Sequence, residues 1–260
     1  MKQKYLWLLL PLLAIFALSC GMIARELLTE KREADTFAEL AARFTLPEAF
    51  SEAEQASSSP DGASEATPRA PVHKRDITAM TKENPDCVGW LSIADTPVDY
   101  PVMYTPNEPQ RYLRKDFYGD YSHSGTPFLD ERCTLDGGSL IIYGHNMKND
   151  AMFSTLTQYV DADYLHEHPL LELETAAGCE YYRIFAVVLA APTDKWYDSP
   201  VASPTELETL LRHIEENALY DTGCAPLPGA QLLTLSTCYY GGSGDERLLI
   251  VAYREEPNDG

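Results

Sequence analysis

The sequence predicts a mainly β extracytoplasmic domain carried behind an N-terminal membrane helix. Three observations lead there: about eight short apolar runs between Val88 and Arg254, a nearly uncharged stretch at the N-terminus, and a polar segment between the two. The runs are Val88–Ile93, Val98–Met103, Thr126–Leu129, Ser139–Tyr143, Leu171–Glu174, Glu180–Leu189, Gln231–Cys238 and Arg247–Arg254. Each is rich in β-branched, aromatic or leucine residues and is bounded by Gly, Pro, Asn or Asp, the pattern of short strands. Eight such strands in one chain suggest a closed barrel or a sandwich.

The N-terminal stretch runs from Tyr5 to Ala24 without a charge, with Lys2 and Lys4 before it. About 20 apolar residues are enough for a helix to cross a bilayer. Ala17-Leu18-Ser19 also fits a small-x-small cleavage site, so a removed signal peptide is the alternative. Both readings require export. Cys20 lacks the leucine three residues earlier that a lipoprotein signal would carry. Residues 1–24 are therefore read as a signal-anchor and 25–71 as a helical stalk and disordered linker. In the stalk, Leu27, Leu28, Phe37, Leu40 and Phe44 recur at helical spacing. From Ser51 to Pro71 the chain is rich in Ser, Ala, Glu and Pro and offers almost no large apolar side chain to bury. The folded domain is placed at 72–256, with no core residue expected before it.

Two helices are predicted within that domain. Pro204 to Ala218 opens with Ser203 as cap, Pro204 in the first turn and Glu206 closing a capping box. Leu207, Leu210, Leu211 and Ile214 form its apolar stripe. A shorter helix is predicted over Ala151–Val160, with Met152, Phe153, Leu156 and Val160 inward.

The formal net charge of −20 argues against nucleic acid, because a phosphate backbone would repel this surface. Its simplest consequence is solubility. The six cysteines contain no C-x-x-C pair and are too sparse for a disulfide scaffold. His166 and His168 give H-E-H, but no further metal-ligand spacing accompanies them.

Three positions can carry chemistry together. In QLLTLSTC, Cys238 ends a strand and is followed by a Gly-rich loop, an open setting for a thiol. In SLIIYGHNM, His145 again lies just past a strand end. A nucleophilic cysteine needs a group that stabilises its thiolate and protonates a leaving amine, and histidine suits both tasks. Arg247 opens the strand RLLIVAYR, and an antiparallel return across the loop would bring it back to Cys238 as an oxyanion or backbone ligand. Taken singly, each has a plainer reading: a buried cysteine, a loop histidine, a surface arginine.

Together these segments resemble the sortases. QLLTLSTC, the arginine that starts an apolar strand, and IIYGHNM upstream form the pattern. NPDCVGW, DTPVDYPV, TPFLDERC and YGHNMKNDAMFSTL are similar to class B members, and so is a helix at Pro204–Ala218 between the sixth and seventh strands. The resemblance covers about Asp76 to Arg254. It implies an eight-stranded barrel with peripheral helices and a cysteine transpeptidase that cleaves an Asn-Pro-x-Thr type sorting motif. Cys238 would attack the Thr carbonyl, His145 would move the proton, and Arg247 with the backbone N–H of Tyr239 would hold the oxyanion. The active form would pair a thiolate with an imidazolium. Substrate contacts are expected at Tyr143, Leu113, Ser236, Thr237 and Tyr239. No metal or cofactor is implied. The implied partners are exported proteins with C-terminal sorting signals, an amine of peptidoglycan precursor or of a pilin, and the membrane. The implied location is a Gram-positive-type cell membrane, single-pass, with the catalytic domain outside. The chain departs from the pattern at Tyr239, where several relatives carry an acidic or small polar residue, and at Pro109. Two rival readings are an exported papain-like cell-wall endopeptidase, whose cysteine would precede its histidine and start a helix, and a non-enzymatic surface protein.

Overall fold

The computed structural model describes residues 3–46, 74–194, 204–241 and 245–256. Its elements in chain order are α1 (Gln3–Phe44), α2 (Ile77–Glu83), β1 (Cys87–Ser92), β2 (Asp99–Met103), β3 (Phe128–Leu129), β4 (Ser139–Tyr143), α3 (Ala162–Glu167), β5 (Leu170–Thr175), β6 (Gly178–Ala190), α4 (Pro204–Asn217), β7 (Leu232–Tyr239) and β8 (Glu246–Arg254). Two 3-10 helices, Arg111–Arg114 and Ser154–Val160, lie in the connections. The strands close into one barrel in the order β1-β2-β3-β4-β7-β8-β6-β5. Closure leaves no open sheet edge. All eight strands expected from the apolar runs are present.

Alternation along β7 and β8 sorts their side chains. Leu233, Leu235, Leu248, Ile250 and Ala252 fill the barrel interior with Leu91, Leu171, Leu173, Tyr182 and Ile184. The intervening Leu232, Leu249 and Val251 face outward and are covered by α4 through Leu207 and Ile214. That helix matches its predicted stripe, with Leu210 and Leu211 half-buried at its margin. Ser203, its expected cap, lies outside the described residues.

The helix expected at Ala151–Val160 is corrected. Helical structure begins only at Ser154 and is 3-10, and Met152 has a φ of 57°, which an α-helix cannot contain. Met152, Phe153 and Leu156 are buried, but Val160 is exposed. A 3-10 turn repeats every three residues, so it rotates Val160 off the face that holds Phe153 and Leu156. Two further short helices, α2 and α3, were not read from the sequence. Both start at an aspartate whose carboxylate accepts a backbone N–H: Asp76 from Ala79 at 2.8 Å and Asp161 from Asp163 at 3.0 Å.

The stalk is part of this packing. Phe37, Leu40 and Phe44 of α1 are buried, so the core draws on residues before the expected boundary at 72. Leu40 and Phe44 share a cluster with Ile77, Met80, Trp90, Tyr112 and Phe117. Leu27 and Leu28 are exposed. Where the chain returns at Lys74, Arg75 pairs with Glu174 at 2.9 Å and Asp99 at 2.6 Å and stacks over Trp90. This joins the segment to β5, β2 and β1 at once. Further up α1, Leu12, Leu13, Ile15, Phe16, Leu18, Met22 and Ile23 are all exposed, and among the described residues α1 is long and apolar enough to cross a membrane.

Candidate active site

The barrel register brings the three chemically capable residues together. β7 and β8 pair antiparallel with Cys238 directly opposite Arg247. Both residues follow the outward alternation of Leu232 and Leu249, so their side chains leave the barrel on the same face. β4 pairs with β7 in parallel, Tyr143 opposite Ser236. Both strands thus run toward the same barrel end, and two further residues on each bring His145 level with Cys238.

Local hydrogen bonds hold the two strand ends in step. Gly144 N–H donates to the Ser236 carbonyl at 3.1 Å, and the Thr237 hydroxyl donates to the Gly144 carbonyl at 2.8 Å. Asn146 Nδ2 donates to the Cys238 carbonyl at 2.8 Å, and Phe153 N–H to the His145 carbonyl at 2.9 Å. Residue 144 has to be glycine, because a Cβ there would sit 2.5 Å from the Phe153 ring. Y-G-H is therefore a packing requirement as well as a motif.

His145 is half-buried, and its Nε2 lies 2.9 Å from the Leu113 carbonyl. A carbonyl can only accept, so Nε2 carries the hydrogen and Nδ1 is left for proton transfer. Burial pushes the imidazole below its ordinary value, and the charges of Arg114 and His123 act the same way, while the Leu113 carbonyl opposes them. Burial thus weighs on the charged form of this imidazole.

His145, Cys238 and Arg247 line one cleft of about 990 Å³. Its walls include Tyr112, Leu113, Ser124, Thr126 and Phe128 on one side and Pro192 on another. Arg247 Nη1 contacts the exposed Asp245 at 3.2 Å, a solvent-screened pair. Below the cleft, Asp130 is buried and accepts from Arg132 at 2.8 Å and from the Tyr143 hydroxyl at 2.7 Å. Burial opposes ionisation of Asp130, but these donors outweigh it, and its carboxyl titrates below the usual range.

The expected contact residues divide. Tyr143, Leu113, Ser236 and Thr237 all line the cleft. The hydroxyls of Tyr143 and Thr237 are already engaged, by Asp130 and by Gly144. Leu113 offers its carbonyl to His145 as well as its side chain to the cleft. Tyr239 turns to the opposite face of β7 and packs on the barrel interior. Sequence reasoning missed Asn146, whose only signal was a short amide directly after the histidine, and the Asp130–Arg132 pair in the motif LDER. Three other cysteines are poor nucleophiles: burial pushes the Cys87 thiol up to about 12, Cys133 to about 11 and Cys179 to about 12.

The fold is shared with known proteins. Residues 91–255 match the family model of the sortase domain. The chain belongs to the sortase family, in its class B branch. Sortase B of Listeria monocytogenes is 34% identical over 167 residues, covering 63% of this chain and 67% of that protein. Sortase B of Staphylococcus aureus is 23% identical over 175 residues, covering 66% and 71% respectively. The solved Staphylococcus aureus sortase B–substrate complex superposes with a TM-score of 0.71 at 20% identity, covering 88% of this chain and 99% of that one. As a sortase, the chain is a cysteine transpeptidase. A papain-like arrangement is excluded by the fold, since Cys238 ends a β-strand and follows His145 in the chain.

Proposed function

We propose that Cys238 is the nucleophile, His145 the proton carrier and Arg247 the oxyanion ligand of a transpeptidation that joins an exported protein to a cell-surface amine. The observation that carries this reading is the register: Cys238 faces Arg247 across β7 and β8, and parallel pairing brings His145 level with both. The Cys238 thiol passes its proton to His145 Nδ1, and the resulting thiolate attacks the carbonyl carbon of the motif threonine, forming a C–S bond. The negative charge that develops on the carbonyl oxygen lies beside the Arg247 guanidinium, whose planar fork of donors suits it. The C–N bond breaks as His145, protonated at Nδ1, gives that proton to the leaving amine. An incoming amine then attacks the thioester carbon, His145 takes up its proton, and the Cys238 sulfur departs as thiolate.

The substrate proposed is an Asn-Pro-x-Thr type motif, and the acceptor an amine of peptidoglycan precursor or of a pilin lysine. The apolar stretch of α1 supports a single-pass anchor, and membership of the sortase family supports a domain outside the cell. The folded unit is assigned to 72–256, with the end of α1 docked on it.

The test is direct. The full chain in detergent micelles, an Asn-Pro-x-Thr type peptide and a small amine are expected to yield the transpeptidated product by mass spectrometry. Cys238→Ala is expected to abolish the thioacyl adduct and His145→Ala nearly all turnover. Arg247→Lys is expected to lose about a hundred- to a thousandfold, the usual cost of one oxyanion donor. Transfer by Cys238→Ala would overturn the mechanism, whereas full activity of Arg247→Lys would remove only the oxyanion role.

A further inference from the structure

Resting on that reading of His145, we infer that Glu33 of the membrane-tether helix is a positioning residue for the catalytic imidazole. The Glu33 carboxylate accepts two successive backbone N–H groups, His123 at 2.8 Å on Oε1 and Ser124 at 3.2 Å on Oε2. Elsewhere, Asp116 binds the N–H groups of Tyr118 and Asp120 within its own loop. The Glu33 clamp instead reaches across 90 residues of sequence.

The clamped segment, 122–126, lies against the turn that holds His145. Ser122 N–H donates to the Arg114 carbonyl at 3.1 Å, and Thr126 N–H to the Tyr112 carbonyl at 3.0 Å. Between them Gly125 has a φ of 63° and approaches so closely that a Cβ would sit 2.5 Å from the Leu113 oxygen. That oxygen is the acceptor for His145 Nε2. The path from tether to imidazole is therefore one bidentate clamp, one close backbone contact and one hydrogen bond. Ser124 is buried and borders both the active cleft and the small groove beside α1 that Glu33 lines. Charge-assisted bonds from a carboxylate to two N–H groups are stronger than neutral ones, which suits a clamp on a surface segment.

Removing the clamp frees segment 122–126 to move away, and with it the backing that fixes the Leu113 carbonyl. The imidazole then loses its orientation toward Cys238. Such misplacement acts on the chemical step, and about 1 Å can cost up to a hundredfold.

The experiment uses the full chain in detergent micelles, with an Asn-Pro-x-Thr type peptide and a small amine as probes. The His145 Nε2–H resonance, assigned by its loss in His145→Ala, is expected in the wild-type spectrum and broadened beyond detection in Glu33→Ala. The kcat of Glu33→Ala is expected to fall about tenfold or more with KM nearly unchanged, as loss of orientation requires. Glu33→Gln keeps one acceptor oxygen but turns an amide donor toward the second N–H, and its kcat is expected to fall between wild type and Glu33→Ala. Glu39→Ala, an exposed carboxylate on the same helix, is expected to match wild type in both measurements. An unchanged Nε2–H resonance or an unchanged kcat in Glu33→Ala overturns the inference. Transfer by Cys238→Ala would instead overturn the underlying mechanism, and the imidazole resonance would still report on the clamp.

Discussion

Leu40 provides the sharpest test of how far the tether belongs to the folded domain. Its side chain is 1% exposed and lies among Met80, Trp90, Tyr112 and Phe117, residues of α2, β1 and the connection from β2 to β3. Leu40→Ala removes three carbons from that cluster and leaves a cavity that α1 and α2, joined by the Arg43–Glu83 ion pair, cannot easily close. A buried Leu→Ala change costs about 2–5 kcal/mol. For a domain of this size each kcal/mol moves the midpoint by about 2–4 °C, so the shift expected is roughly 4–20 °C. Differential scanning calorimetry on the fragment 29–256 and its Leu40→Ala variant measures it. Fragment 74–256, which loses Phe37, Leu40 and Phe44 together, is expected to fall further or to lose its cooperative transition. If Leu40→Ala and wild type melted within a degree of each other, α1 would not be a working part of the core in solution, and the packing argument would fail.

Three further outcomes follow from the site. Gly144→Ala is expected to abolish turnover while circular dichroism stays native, because its Cβ would push the Phe153 ring and with it the His145 carbonyl. An NMR titration is expected to find the His145 imidazole protonating below its ordinary 6.5. The unfolded chain takes up that proton first, so the stability from this site is fully present above pH 6.5 and is lost as pH falls through the folded midpoint. Treating the native protein with iodoacetamide near pH 8 is expected to leave Cys87, Cys133 and Cys179 unmodified by peptide mapping, since their thiols titrate at about 12, 11 and 12.

The sequence makes some of these relations legible and hides others, for a physical reason. Cys238 and Arg247 belong to consecutive antiparallel strands, so their meeting follows from local chain reversal. The alignment of His145 with Cys238 depends on parallel pairing of β4 with β7 across a long crossover, which no spacing reveals. The same limit hides Glu33, whose partners lie about as far along the chain. The α4 stripe was readable because a helix repeats its apolar positions within one short segment. Val160 was misplaced because its segment obeys a three-residue repeat where 3.6 was assumed.

A continuous helix is also a ruler. Between Arg25, the first charge after the apolar stretch, and Glu33 in the groove beside α1, the rise of about 1.5 Å per residue amounts to roughly 12 Å. No Gly or Pro interrupts α1 over that interval. With Leu12 to Ile23 seated in a bilayer, that interval sets how far beyond the apolar stretch the helix meets the domain. Reach then becomes a selection rule. Under the proposed function, motifs and amines held close to the membrane come within range of Cys238, while those far from it do not, whatever their affinity for the cleft.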